Sequence, residues 1–233
     1  MKHGEKIMME NELLLKPVAQ FHSPFPTKFG IPKQSGLVEE LAGEIEFEPA
    51  FRNKDALRGM EAFDYLWLIW GFSANPHAAV SPVVRPPLLG GNKRVGVFAS
   101  RSPFRPNPIG LSSVRLDSIE WDTPRGPVIH VLGGDLMDGT PIYDIKPYIV
   151  YADCHPGVRS GFTDQVRLKR LDVVIPDRMA SGFSQQQLQV LRHSLALDPR
   201  PHYQNDPQKV YGMPFEGRDI HFRVEGDRLI IED

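Results

Sequence analysis

The chain has 233 residues, with 41% hydrophobic and 24% charged side chains, so it has the composition of a folded globular protein of one large domain or a domain with an appendage. Its 22 prolines, close to twice the usual share of about 5%, argue against a helical bundle and for strands, turns and ordered loops. The net charge of -2 gives no reason by itself to expect a polyanionic partner, and one cysteine excludes an internal disulfide and any zinc site needing two thiolates.

In chain order, residues 1–12 (MKHGEKIMMENE) are polar and read as a flexible terminus, with no signal-type apolar core. Residues 13–21 (LLLKPVAQF) read as a first strand, followed by a proline-rich loop over 22–32. Residues 44–48 (EIEFE) alternate as a half-buried strand does, and a short helix is expected over 54–58, stopped by Gly59. The aromatic run 63–72 (FDYLWLIWGF) suits a central strand and is far too short, at its apolar core, for the roughly 20 residues of a membrane span. Further strands are expected at 94–101, 111–119, 127–132 and 147–152. The short spacing, with Gly and Pro between and no helical pattern, predicts a mainly β fold: an antiparallel sheet or closed barrel over 13–157.

Beyond residue 158 the pattern changes to a small α+β domain, 158–233. It opens with a strand candidate at 165–175. A helix follows, in which Ser184 caps, Gln187 completes a capping box and Phe183 staples onto Leu188. Leu188, Leu191 and Leu195 share one face, and Asp198-Pro199 ends the run. Segments 220–224 and 228–231 flank Glu225-Gly226-Asp227 as a hairpin.

From Tyr65 to Leu116 there is no Asp or Glu in 52 residues, while Arg85, Lys93, Arg94, Arg101, Arg105 and Arg115 lie within the same span. Such a block suits phosphate or carboxylate groups, although solvated loop arginines would look the same. Inside it, 101–110 (RSPFRPNPIG) is stiffened by Pro103, Pro106 and Pro108 and presents Arg101, Arg105 and Asn107 at low entropic cost. A second cluster, 135–148 (DLMDGTPIYDIKPY), crowds Tyr143, Asp144, Lys146 and Tyr148 behind an Asp138-Gly139 turn. Asp144 and Lys146, two apart, share a face of a strand, which suits either proton transfer or a surface ion pair. Cys154 and His155 are adjacent, so on a strand they face opposite ways and do not form a thiol–imidazole pair; Cys154 reads as a small hydrophobe. His77, His193, His202 and His221 are scattered without metal-ligand spacing, so no metal is expected. No two glycines are separated by a single residue, so the dinucleotide fingerprint is absent and a doubly wound nucleotide fold is not expected.

Two stretches, 96–110 (GVFASRSPFRPNPIG) and 138–148 (DGTPIYDIKPY), resemble the signatures of the TsaA-like family, with support from 31–34 (IPKQ), 57–63 (LRGMEAF), 84–87 (VRPP), 90–92 (GGN) and 198–201 (DPRP). The resemblance is strong over about residues 15–155 and looser beyond. It implies a single-sheeted antiparallel β-barrel, a homodimer, and S-adenosylmethionine as cofactor. The implied reaction is methylation of N6 of N6-threonylcarbamoyladenosine, next to the anticodon of tRNA, by a cytoplasmic enzyme. Cofactor contacts carried over by position are Pro32, Lys33, Gln34, Ser73, Ala74, Arg101, Leu111, Asp135, Leu136, Met137, Asp138 and Gly139. The family more often has His-Gln where this chain has Ser73-Ala74, and Arg where it has Lys33. On this reading Asp144, or Tyr148 relayed through it, with Lys146 beside them, removes the N6 proton. Arg101 or Arg105, with Asn107, holds the threonyl carboxylate, and Arg85, Lys93 and Arg94 follow tRNA phosphates. The alternative is a non-enzymatic module that binds S-adenosylmethionine or RNA with the same loops; a thiol hydrolase built on Cys154 is a distant third.

Overall fold

A computed structural model describes residues 13–75, 81–90, 92–165, 168–201 and 206–232. The expected flexible terminus, His77 and His202 lie outside the described residues. The main body is β: β1 (Ala19–His22), β2 (Ala42–Phe47), β3 (Tyr65–Gly71), a small ribbon of β4 (Val83–Val84) with β5 (Val95–Gly96), β6 (Ile109–Glu120), β7 (Val128–Leu132) and β8 (Thr140–Pro147). Six of these pair antiparallel in the order β1-β2-β7-β6-β3-β8, and β8 pairs again with β1, so the sheet returns on itself without a free edge. Alternation sets which residues fill the interior: Leu66, Leu68 and Trp70 of β3 point in, with Phe21, Ile45, Val114, Ile129 and Ile142. Tyr65, Trp67 and Ile69 point out, which is why β3 reads as apolar on both faces.

The second unit follows α1 (Val150–Asp153): β9 (Asp172–Val174), α2 (Asp177–Ala180), α3 (Gln185–Ala196), β10 (Tyr211–Phe215), β11 (Arg218–Glu225) and β12 (Arg228–Ile231). Its sheet runs β10-β11-β12-β9, with β9 parallel to β12. The capping box at α3 is present in full: the Gln187 amide donates to Ser184 Oγ at 3.2 Å and the Ser184 amide donates to Gln187 Oε1 at 2.9 Å. After α3 the backbone of Asp198 turns left-handed (φ 53°), and its carboxylate accepts two hydrogen bonds from the Arg200 guanidinium, at 2.8 and 2.9 Å, and a third from the Arg200 amide at 3.3 Å.

Several elements differ from the sequence expectation. The first strand begins at Ala19, because Pro17 has no amide to donate and Leu13 and Leu14 are exposed. The 54–58 helix is a single 3-10 turn, Lys54–Leu57, capped by Asn53. The 94–101 segment keeps two strand residues and then tightens into the 3-10 turn Val97–Ala99. The strand expected at 147–152 ends at Pro147, and the next residues form α1, whose free amide at Ile149 donates to Asp153 Oδ2 at 2.7 Å. Within 165–175 only Asp172–Val174 is strand, Val166 and Arg167 lying outside the described residues.

The loop 22–32 and its continuation to Leu41 are more than a connection. Phe25, Val38 and Leu41 are buried in the core of the second unit, with Leu191, Leu195, Met213, Phe215 and Phe222. The Phe25 and Phe215 rings lie 5.3 Å apart. Gly30 sits at φ 96° under the Met213 side chain, where a Cβ would come within 2.2 Å of the sulfur.

Candidate active site

β3 leaves the sheet at Gly71 and β6 enters it opposite, at Ile109, so the acid-free insertion hangs from the mouth of one strand pair. The loop is tied there by Phe72 N to Pro108 O (2.9 Å) and Ile109 N to Asn107 O (2.7 Å). Beneath it opens a cavity of about 620 Å³, within the roughly 300–1,000 Å³ of small-molecule sites. Its inner wall carries a hydrogen-bond chain. The Trp70 indole N–H donates to Ser112 Oγ at 3.0 Å, and the Ser112 hydroxyl donates to Asp135 Oδ1 at 2.5 Å. Burial raises the Asp135 pKa, against the Ser112 hydrogen bond and the charge of Arg101, which favour the carboxylate.

Trp70 lies flat on the backbone of Gly110, its partner on β6. A Cβ at position 110 would stand 2.3 Å from the indole ring. Gly110→Ala therefore displaces Trp70 and breaks the chain to Asp135. We expect a loss of about 1–3 kcal/mol, read as a fall in Tm of roughly 3–10 °C; an unchanged Tm in a thermal melt would show that the wall is soft.

The cavity also carries cations. Arg101 Nη1 donates to Gln34 Oε1 at 2.6 Å, and the Gln34 amide donates to Lys33 O at 2.5 Å. Burial lowers the Lys33 pKa, against the attraction of Asp198. Burial also works to raise the Asp198 pKa, but the hydrogen bonds from Arg200 hold it below the ordinary carboxylate value. The second unit thus places a carboxylate next to the loop that borders the cavity.

Among the expected cofactor contacts, Pro32, Lys33, Gln34, Arg101, Leu111 and Asp135 line this cavity, together with Arg105 and Asn107. The others stand apart from its lining. Ser73 and Ala74 follow the end of β3, with Lys28 Nζ donating to Ala74 O at 3.3 Å. Leu136 is buried in the core of the sheet. Met137, Asp138 and Gly139 form a turn docked on β1 through Gly139 N to Phe21 O (2.8 Å) and through His22 Nδ1 to Asp138 Oδ1 (3.1 Å). Arg85, Lys93 and Arg94 are exposed on the β4–β5 ribbon and its approaches. Trp70, Phe72, Phe98 and Ser112 were not anticipated at the site. Trp70 and Ser112 belong to strands, and which of their neighbours they meet depends on a register that no local motif records.

Models of the tRNA-methyltransferase O N-terminal domain and of the TrmO C-terminal domain match residues 20–154 and 169–233. The chain belongs to the TrmO family. It is 36% identical over 216 residues to the tRNA (adenine(37)-N6)-methyltransferase of Escherichia coli, covering 89% of this chain and 91% of that protein. It is 34% identical over 232 residues to a putative S-adenosylmethionine-dependent methyltransferase of Pseudomonas aeruginosa, covering 93% and 94%. A crystal structure of TrmO from Pseudomonas aeruginosa superposes with a TM-score of 0.76 at 30% identity, covering 96% of this chain and 98% of that one.

In this TrmO-family chain the three residues expected to handle the proton lie on the outer face of β8 and just past its end. Ile69 pairs with Leu111 on one side and with Asp144 on the other, so the cavity wall and Asp144 occupy one row of the sheet. Two strand spacings put them about 10 Å apart. Asp144 Oδ2 accepts from Lys146 Nζ at 2.7 Å. Tyr148 does not join this pair. Four residues of strand separate it from Asp144, about 13 Å, and its ring packs on Tyr65 and Trp67 at 6.2 and 5.7 Å. Its hydroxyl meets Cys154, and desolvation, with Cys154 and Asp153, raises its pKa. A relay from Tyr148 through Asp144 is therefore not built into this TrmO-family chain. Among the described residues no helix is long and apolar enough to cross a membrane, and no group of three or more His, Cys, Asp or Glu is placed to hold a metal ion.

Proposed function

We propose that this chain transfers a methyl group from S-adenosylmethionine to N6 of adenine 37 in tRNA, and that the base it receives carries the threonylcarbamoyl group. The observation that supports it most is the cavity, whose lining brings a half-buried carboxylate within the field of a guanidinium, in a chain of the TrmO family. The residues suit the cofactor: Asp135 offers a counter-charge to its cationic groups, Arg101 and Lys33 offer donors to its carboxylate, and Trp70, Phe72 and Leu111 offer apolar surface. S-adenosylmethionine supplies a methyl group on an electron-poor sulfur, ready for in-line displacement.

What the protein adds is position and a proton acceptor. The N6 lone pair of a carbamoylated adenine is delocalised into the purine and the carbonyl, so the nitrogen is a weak nucleophile. Asp144 takes its proton, Lys146 holds the Asp144 carboxylate in place, and N6 lies over Ile69, between the Asp144 carboxylate and a methyl group offered from the cavity wall. Arg105 and Asn107, on the rigid loop, receive the threonyl carboxylate, while Arg85, Lys93 and Arg94 follow the phosphates. In this reading the six-stranded sheet is a barrel over 13–157, residues 158–233 form a smaller α+β domain, two copies assemble into a dimer, and the enzyme works in the cytoplasm where its tRNA is found.

The test is transfer of label from radioactive S-adenosylmethionine to two tRNA pools, one with and one without the threonylcarbamoyl group. Label in the modified pool alone is the expected result. Label in both keeps the methyltransferase and removes the carboxylate clamp. Cofactor binding without label in either pool would make the chain a binding module instead.

A further inference from the structure

Phe98 is mounted for contact with something outside the fold. The 3-10 turn that carries it is held from below: Val97 is 3% exposed, its amide donates to Pro82 O at 2.9 Å, and the Ser100 hydroxyl donates to Val97 O at 2.9 Å. On this fixed base the Phe98 ring is 81% exposed and borders the cavity. A single apolar side chain in water is ordinary on a protein surface. An open ring carried on a fixed turn at the rim of a polar cavity, within a stretch of chain that has no acid, is a narrower circumstance. The other aromatic rings of the cavity are already engaged. Trp70 lies on Gly110 with its N–H on Ser112, and Phe72 meets Trp70 edge-on at 4.4 Å and 63°.

The neighbours of Phe98 along the chain point to its ligand. The turn follows directly on β5, and Lys93 and Arg94, both exposed, lie just before that strand. Cations that suit phosphates therefore come just before an open ring that suits a π-face. A base that undergoes chemistry leaves its stack, and a replacement stacking surface offsets what it loses. Base–aromatic stacking also tolerates the bulky N6 substituent, because it uses the face of the purine and leaves its edge free.

We propose that Phe98 is the stacking platform for the target purine, holding the extruded base over the cavity while the ribbon cations hold its flanking phosphates. This rests on the methyltransferase reading above. The ring acts on the RNA and not on the cofactor, whose suitable partners are Asp135, Arg101 and Lys33 with the apolar surface of Trp70, Phe72 and Leu111.

The test compares full-length Phe98→Leu and Phe98→Tyr with the parent in four measurements: tRNA affinity, kcat/KM for tRNA, S-adenosylmethionine affinity and sedimentation mass. Phe98→Leu keeps apolar bulk without a π-face and should weaken tRNA binding about 10- to 100-fold, with kcat/KM falling in step. Phe98→Tyr should stay within about twofold of the parent, since it keeps the face. Cofactor affinity and sedimentation mass should not move in either variant. Equal behaviour of Leu and Tyr would overturn stacking. A selective loss of cofactor affinity would assign the ring to S-adenosylmethionine instead, and a changed mass would assign it to a contact between copies. Because the claim is read first from tRNA affinity, it fails separately from the methyl-transfer reading: a parent that binds tRNA but methylates none would refute that reading and leave the Leu–Tyr comparison intact.

Discussion

Asp135→Asn is expected to weaken S-adenosylmethionine binding about 100-fold, or roughly 2–3 kcal/mol, while leaving the ligand-free protein more stable at neutral pH than the parent. The two effects have one origin. Burial raises the Asp135 pKa above its ordinary value, so the native state binds this proton more tightly than the unfolded chain does. Between the unfolded and the raised native pKa, stability falls as pH rises, and above the native pKa the fold carries the full penalty of a partly desolvated charge. Asn keeps the shape and still accepts the Ser112 hydroxyl, but removes the charge. Thermal melts from pH 4 to 8 should show a higher Tm for the variant at the upper end and convergence at the lower end. Titration calorimetry should show the affinity loss. In the parent, affinity should decline on acidification from a higher pH than an ordinary carboxylate would give. If Tm and affinity fell together, Asp135 would be a structural residue of the cavity wall and not the counter-charge of the ligand.

Asp144→Asn should lower kcat by about 10²–10⁴-fold, the usual contribution of a positioned proton acceptor, with S-adenosylmethionine affinity unchanged. Asp144 is separated from the cavity lining by the width of β3, so its loss leaves the cavity as it was. Asn retains the backbone contact, in which Ile145 N donates to Oδ1 at 3.0 Å, and loses only the basicity and the ion pair with Lys146. Single-turnover rates with modified tRNA, beside cofactor affinity by calorimetry, decide the matter. Equal losses in both would remove Asp144 as the base and make the row across β3 a route of structural support.

The sequence was most legible where a feature is local. The α3 capping box needs only Ser184 and Gln187, three apart, and both hydrogen bonds are formed. The stiffness of 101–110 comes from its own prolines, and the cavity draws Arg101, Arg105 and Asn107 together from that one loop. Features that depend on pairing were not legible. Ser112 is an unremarked hydroxyl until β6 lies in register beside β3, when it bridges Trp70 and Asp135. The cluster 143–148 looked like one site because its residues are close in sequence. On an extended strand that closeness becomes distance, and Tyr148 goes to Cys154 while Asp144 goes to Lys146. Phe25 in its proline-rich loop had no periodicity to mark it as core, because its ring partner Phe215 comes from a sheet 190 residues later in the chain.

That last arrangement bears on how the protein can change over time. The loop between β1 and β2 is fastened by Phe25, Val38 and Leu41 into the second unit, and presents Lys33 and Gln34 to the cavity of the first. Mutations in the far core, at Met213 or Phe215, are therefore expected to be felt as drift in the loop that carries Lys33 and Gln34, with no change in any cavity residue. Neither unit can be exchanged for a homologous copy without carrying this loop's sockets with it. The two halves of the chain are expected to be inherited as one unit, and chimaeras joined near residue 158 should work only when the 23–41 segment and the C-terminal sheet come from the same parent.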